Sequence, residues 1–177
     1  MRLIKEIYRD KDINVLGKQI YREAVRGIIK RGNKILMIYS SKQGDYSFPG
    51  GGVDIGETYQ EALLREVREE CGARVTNICS DFGKMVEYAI PIESEYDVFK
   101  MTSYYFICEV DQIFEEQKLE EYEKELGFEP VWIDIDTAIE ANLDIINNKV
   151  TDAPKRTQRE VTILKLVKTH YNDTSQV

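Results

Sequence analysis

The chain has 177 residues, enough for one folded domain with a substantial core. Its 32 acidic and 24 basic side chains give a net charge of −8, which argues against a broad nucleic-acid or membrane surface built from clustered Lys and Arg. No signal peptide or membrane-length apolar run is visible, and Cys71, Cys79 and Cys108 form an odd set without metal-like spacing, so reduced core cysteines in a cytoplasmic protein are expected.

Residues 1–20 alternate weakly around Leu3, Ile4, Ile7 and Tyr8, the pattern of an added strand or of an arm used in dimer contacts. From Tyr21 the signal strengthens. REAVRGIIK and KILMIYS are strand-like runs on either side of a hairpin turn at Arg31-Gly32-Asn33. Residues 41–47 read as a polar loop opening towards a glycine run, and Lys42 there is a candidate to meet a phosphate. A solvated loop lysine is the plainer alternative.

Residues 48–73, FPGGGVDIGETYQEALLREVREECGA, organise the chain: a strand end, a glycine-rich loop, then a short helix dense in carboxylates. Thr58 with Glu61 predicts a capping box, and Gly72 a left-handed stop. Between them the helical period gives three arcs. Leu63, Leu64, Val67 and Cys71 form an apolar arc, Ala62, Glu66, Glu69 and Glu70 a second, and Glu61, Arg65 and Arg68 the outer third. Like charges three and four residues apart repel unless a cation sits among them. Oxygen-only ligands suit Mg²⁺ or Mn²⁺, whose natural partners are phosphates. Ala62 leaves room beside the carboxylates, and Arg65, one turn before Glu69, can orient it. A solvated acidic face is the ordinary alternative, but it leaves the glycine loop unexplained.

The order Gly51, five residues, Glu57, seven residues, Arg65-Glu66-Val67, one residue, Glu69-Glu70, one residue, Gly72-Ala73 resembles the Nudix box of the Nudix hydrolases. Every fixed polar and glycine position is present. The one departure is Ala73, where the family usually carries a larger aliphatic residue. The resemblance implies an α/β/α sandwich with a mixed sheet, an α/β (α+β) fold carrying the loop and helix of the box, over residues 1–177 as a single domain. It implies Mg²⁺ or Mn²⁺ held by Glu66, Glu69, Glu70 and a carbonyl of Gly50 or Gly51. Glu57 would belong to the outer metal shell or support Arg65; without the resemblance it reads as favourable charge at a helix start. Glu66 or Glu69 would act as general base.

Beyond the box, RVTNICSD, GKMVEYAI and MTSYYFICEV read as strands, with residues 91–97 as a polar connection. Tyr104, Tyr105 and Phe106 fit sheet packing. Residues 115–125 are densely charged, a mobile loop or short helix. In related enzymes a further acidic residue before a tryptophan-containing strand can reach the metals; PVWIDI is such a strand here, which makes Glu123 or Glu125 the candidate. Asp136 is placed to cap a helix running to about Asn147, packed by Ile139, Leu143 and Ile146. Residues 148–154 read as a loop. Thr157 with Glu160 then predicts a second capping box, opening a helix over 155–171 that packs on the core. His170 is the single histidine and lies near the end of the chain, which favours a carboxylate or metal-bound water as base.

Together these imply metal-dependent hydrolysis of a phosphoanhydride in a nucleoside diphosphate linked to another moiety: a nucleoside triphosphate, ordinary or oxidised, or a nucleotide sugar. The expected partner is that small molecule, with no bulk nucleic acid and no membrane, in a chain whose relatives include many homodimers. No proline stands at the usual ADP-ribose spacing, although Pro91 is near it, and the tryptophan- and proline-rich NADH signature is absent. A nucleotide-binding regulator without turnover is the alternative; a damaged REVREE run would mark it, and the run is intact.

Overall fold

The two apolar runs that flank Gly32 become adjacent strands inside a sheet. In the computed structural model, which describes residues 1–148 and 156–174, β1 spans Leu3–Tyr8, β2 Gln19–Arg31, β3 Lys34–Ser40, β4 Tyr46–Ser47 and α1 Tyr59–Cys71. There follow β5 (Val75–Ala89), β6 (Val98–Val110), α2 (Glu121–Leu126), β7 (Phe128–Asp134), α3 (Ile135–Asn147) and α4 (Thr157–Thr174). The strands join in the order β1-β5-β6-β2-β3-β4, with β7 also paired to β3. Pairing is parallel in β1–β5 and β2–β6 and antiparallel elsewhere, so the sheet is mixed.

Strand alternation sends Val25 and Ile29 to one face and Ile28 to the other. On the first face they pack with Leu63, Val67 and Cys71 of α1; on the second, Ile28, Met37 and Phe48 pack with Ile139 of α3 and Ile163, Leu164 and Val167 of α4. The result is the expected α/β/α sandwich. The hairpin turn falls as expected, with Gly32 at φ +59° supplying the left-handed step.

Several local expectations change. RVTNICSD and GKMVEYAI are one strand, β5, because Gly83 absorbs an irregularity in the ladder without ending it; Ile4 of β1 and the carbonyl of Arg2 just before it press where its Cβ would be. In α1, Leu64 is exposed and Ala62 is buried among core residues, so Ala62 makes room for packing, not for an ion. The helix is rotated towards its carboxylate edge, and this buries Glu70 with the apolar residues. Cys79 is exposed beside a β5 irregularity, whereas Cys71 and Cys108 are buried; all three are free thiols. Residues 115–118 are tied to the end of α1 by Glu115 N–H to the Gly72 carbonyl and Lys118 N–H to the Glu69 carbonyl, and only then does the short α2 begin. α3 starts at Ile135 with Asp134 at its N-cap, since β7 runs straight into it, and Asp136 instead pairs with Lys168. Thr157 and Glu160 do not form a capping box. Thr157 Oγ1 donates to Asp45, and the Glu160 carboxylate accepts from Phe48 N–H and Arg159. Of the loop expected over 148–154, all but Asn148 lies outside the described residues. Among the described residues no helix is long and apolar enough to cross a membrane.

The second face carries a buried ion network. Arg159 of α4, 2% exposed, meets Glu87 of β5 at 2.7 Å and Glu160 at 2.6 Å, and Arg9 closes on the other oxygen of Glu87. Burial pushes the Glu87 carboxyl up, but Arg159 and Arg9 outweigh it and hold the group below the ordinary glutamate value. A carboxyl lowered on folding stabilises fully above its unfolded value and loses that contribution as pH falls through the folded one. Glu87→Gln is therefore expected to lower stability by about 1–3 kcal/mol near neutral pH, because the buried Arg159 loses one of its two carboxylate partners and keeps only Glu160. In urea unfolding, the gap between wild type and variant should narrow as pH falls from about 5 to about 3. A gap that stayed constant across that range would show that the charge of Glu87 contributes nothing.

Candidate active site

The site is built where the glycine turn folds under β2. Val25 N–H donates to the Gly51 carbonyl at 2.9 Å, Gly27 N–H to Pro49 at 2.8 Å, and Val53 N–H to Glu23 at 3.1 Å, so the turn is held like a short extra strand. Gly50 is required there: its φ is +133°, and a Cβ would lie 2.1 Å from the Val25 carbonyl oxygen. From the other side, Gly50 N–H donates to Glu70 Oε2 at 2.7 Å, which joins the turn to the helix.

The helix begins and ends as the sequence predicts, with the reciprocal Thr58–Glu61 capping box and Gly72 in the left-handed region. Its outward side is organised by Arg65. The guanidinium takes Glu57 bidentately (Nε to Oε1 2.9 Å, Nη2 to Oε2 2.8 Å), Glu66 Oε1 at 2.7 Å and the Gly52 carbonyl at 2.9 Å, and reaches Glu69 Oε2 at 3.3 Å. Arginine suits this task because its planar fork satisfies several oxygens at once. The bond to Arg65 lowers the Glu57 carboxyl. Burial raises Glu66 despite Arg65, and it pushes Glu70 up to about 8 although Arg26 and the Gly50 N–H oppose the shift. Glu69 keeps 39% of its side chain exposed and faces solvent from the same edge.

Arg65, Glu66, Glu69, Glu120 and Glu123 share a depression of about 210 Å³ with Gly51 and Gly52. Of the two late candidates, Glu123 lines this depression: it is 4% exposed, accepting from Glu120 N–H and the Tyr122 hydroxyl. Glu125 is exposed and lies outside the depression. Lys42 is exposed in the loop after β3, its N–H donating to the Leu126 carbonyl, and it lines neither this depression nor the recess beside it. His170 packs edge-on to Phe82 and Tyr171 on α4, remote from the turn. The sequence reading missed Arg22, Arg26 and Tyr122, all of which line the adjoining recess. Arg22 and Arg26 were detectable in principle as charges at two-residue multiples on the face of β2 that also carries buried Ala24 and Ile28.

The donors suit a hard divalent cation. They are carboxylates and backbone carbonyls, without sulfur or imidazole. Among the described residues no three acidic, cysteine or histidine side chains converge on one point.

A family model described as NUDIX domain matches residues 20–153. An ADP-ribose pyrophosphatase of Methanocaldococcus jannaschii is 39% identical over 75 residues, 40% of this chain and 44% of that protein. An RNA pyrophosphohydrolase of Nitratiruptor sp. is 35% identical over 82 residues, 43% of this chain and 53% of that one. The chain thus spans about half the length of the curated relatives it matches. Among solved structures, an ADP compounds hydrolase superposes with a TM-score of 0.54 at 21% identity, covering 88% of this chain and 76% of its own. A NUDIX hydrolase from Nitrosomonas europaea gives 0.53 at 19%, covering 73% and 88%. These structural likenesses concern the fold.

The close approach at Gly50 sets a stability test. Gly50→Ala should cost about 3 kcal/mol or more in urea unfolding, since a backbone oxygen cannot yield and the dihedral is unfavourable. Gly52→Ala, whose Cβ would meet nothing nearer than the Arg22 side chain at 3.9 Å, should cost less than about 1 kcal/mol. Equal losses at the two positions would mean that the turn is not pinned as described.

Proposed function

The chain belongs to the NUDIX domain family, and on that premise we propose that it hydrolyses a phosphoanhydride in a nucleoside diphosphate linked to another moiety, with Mg²⁺ or Mn²⁺ as cofactor. The observation that carries this reading is the Arg65 fork, which gathers Glu57, Glu66, Glu69 and the Gly52 carbonyl on one edge of a depression under a glycine turn. The names of the two relatives support it, since both describe hydrolysis of a pyrophosphate link, in ADP-ribose for one and in RNA for the other.

Glu66 and Glu69, on the rim of the depression, would hold the metal with one carbonyl of the turn, and Glu70, buried against Gly50 N–H, would have to turn outward to join them, since among the described residues no three acidic side chains converge. Gly50 is favoured for that carbonyl, because the Gly51 oxygen already accepts from Val25 N–H and the Gly52 oxygen from Arg65. Glu123 stands on the same wall as a further acidic group. A metal held there would supply acidification of a bound water and offset charge on the phosphates. The protein's own groups do the rest. Glu69, the most exposed of the three and tied to Arg65 by its longest bond, accepts the proton of the attacking water. As the water oxygen bonds to phosphorus, the anhydride P–O bond breaks and its electron pair leaves with the departing phosphate. Glu57 acts at one remove, by fixing the orientation of Arg65. Glu66 is locked against Arg65 and half-enclosed, which fits a ligand better than a mobile base.

Glu69→Gln is expected to lower turnover of a nucleotide panel by roughly 10²–10⁴-fold, the range for loss of a general base, while leaving thermal unfolding nearly unchanged. EDTA should abolish wild-type turnover, and added Mg²⁺ or Mn²⁺ should restore it. Nucleotide binding without release of phosphate, pyrophosphate or monophosphate by the wild type would make the protein a regulator instead.

A further inference from the structure

On the sheet side of the glycine turn lies a recess of about 160 Å³ that shares Arg22, Gly51, Gly52 and Tyr122 with the acidic depression. Four arginines line it: Arg22 and Arg26 from β2, Arg156 just before α4 and Arg159 within it. Glu70 is the carboxylate on its wall, turned to Gly50 N–H. Three acids answer two of the arginines, with Glu87 and Glu160 on Arg159 and Asp45 on Arg156. Arg22 and Arg26 form no ion pair among the described residues.

The unsatisfied groups point the same way. Among the described residues, four buried side-chain polar atoms lack a hydrogen-bond partner: Arg26 Nε, Arg156 Nε, Ser103 Oγ and Tyr105 Oη. Two belong to the lining itself. The other two share its face of the sheet, because the β2–β6 register sets Ser103 beside Ala24 and Tyr105 beside Arg26. Burying such groups unpaired is costly, and their clustering leaves this face of the sheet rich in donors without partners. The guanidinium nitrogens can only donate, so Arg22 and Arg26, which line the recess without an ion pair among the described residues, suit an acceptor-rich anion. A space of about 160 Å³ is ample for a phosphoryl group. Larger spaces of about 600 Å³ and 520 Å³ adjoin it, each also touching Arg22, and can hold the remainder of a substrate.

We propose that this arginine recess receives the terminal phosphate of the substrate, so that the protein selects phosphoanhydrides ending in a free phosphate over diphosphates capped by a sugar. The inference rests on the phosphoanhydride reading above. A terminal phosphate carries an additional charge and three open oxygens, which match the guanidinium donors of Arg22 and Arg26. A sugar cap offers neither.

The test uses the full chain with Mg²⁺. Calorimetric titration with inorganic triphosphate should show binding, weakened about tenfold or more in Arg26→Gln and partly recovered in Arg26→Lys, on the scale of a charge-assisted hydrogen bond. Arg22→Gln, at an exposed position, supplies a second variant should Arg26→Gln fail to fold. Wild type should also turn over a nucleoside triphosphate faster than ADP-ribose, and Arg26→Gln should lower that ratio about tenfold. A short oligonucleotide with a 5′-triphosphate, run alongside, tells a free nucleotide from an RNA end; preference for either over ADP-ribose supports the recess. A wild-type preference for ADP-ribose, or an unchanged ratio and triphosphate affinity in the variants, overturns this inference and leaves the hydrolase reading intact. Failure of wild type to hydrolyse any of these substrates would sink the hydrolase reading, and triphosphate binding alone would then decide for or against the recess.

Discussion

The bond between Gly50 N–H and the buried Glu70 carboxylate is where the turn, the helix and the sheet meet. Two requirements pull on that point. The turn must lie close enough to β2 to trade backbone hydrogen bonds with Val25 and Gly27, which only a residue without a Cβ permits at Gly50. The helix must come close enough from below for a carboxylate to reach the same amide. Glu70 is accordingly drawn among core residues, where an ordinary carboxyl would be too costly to ionise; burial raises it to about 8. The geometry that exposes the remaining carboxylates of the helix is a consequence. With Glu70 turned inward, Glu66 and Glu69 fall on the rim, and Glu66 takes the space above Gly51 that any side chain there would occupy.

Charge is balanced around this junction in two layers. Arg65 lies on the solvent side and neutralises Glu57 and Glu66 through short, directional bonds. Arg26 lies on the sheet side and acts on Glu66 and Glu70 across space without a hydrogen bond to either. The two arginines differ in what is left over. The fork of Arg65 is filled by protein oxygens, whereas Arg26 retains a buried nitrogen without an acceptor. The acidic depression and the basic recess are thus two sides of one backbone turn, with Arg22 at their common edge.

Local chemistry was readable in advance, and distant pairing was not. The capping box, the left-handed Gly72 and the β2–β3 hairpin are each set by residues within four positions of one another, and each stands where the sequence placed it. The carboxylate edge was legible for the same reason, since i, i+3 and i, i+4 neighbours share a helix side whatever surrounds them. Which of those carboxylates would be buried was not legible, because it depends on how far the helix rolls against the sheet; Leu64 and Ala62 exchanged their expected environments on that account. Glu123 and Glu125 could not be told apart until α2 was seen to present one of them inward. The basic recess escaped notice because its arginines come from opposite ends of the chain.

That distance also explains the second capping box that failed to form. Thr157 and Glu160 have the right spacing and would cap a helix lying in solvent. Here the start of α4 is buried, and both side chains have stronger obligations across the fold: Thr157 to Asp45, and Glu160 to Phe48 N–H and Arg159. A bond to Phe48 fixes the residue immediately before Pro49 and the glycines, so the last helix anchors the entry to the turn on which the site is built. Arg159 extends the same tie to Glu87 on β5, which brings the far strand into register with it. A motif of local sequence was thus given up to a contact spanning more than a hundred residues, and the rigidity of the glycine turn is the physical return on that exchange.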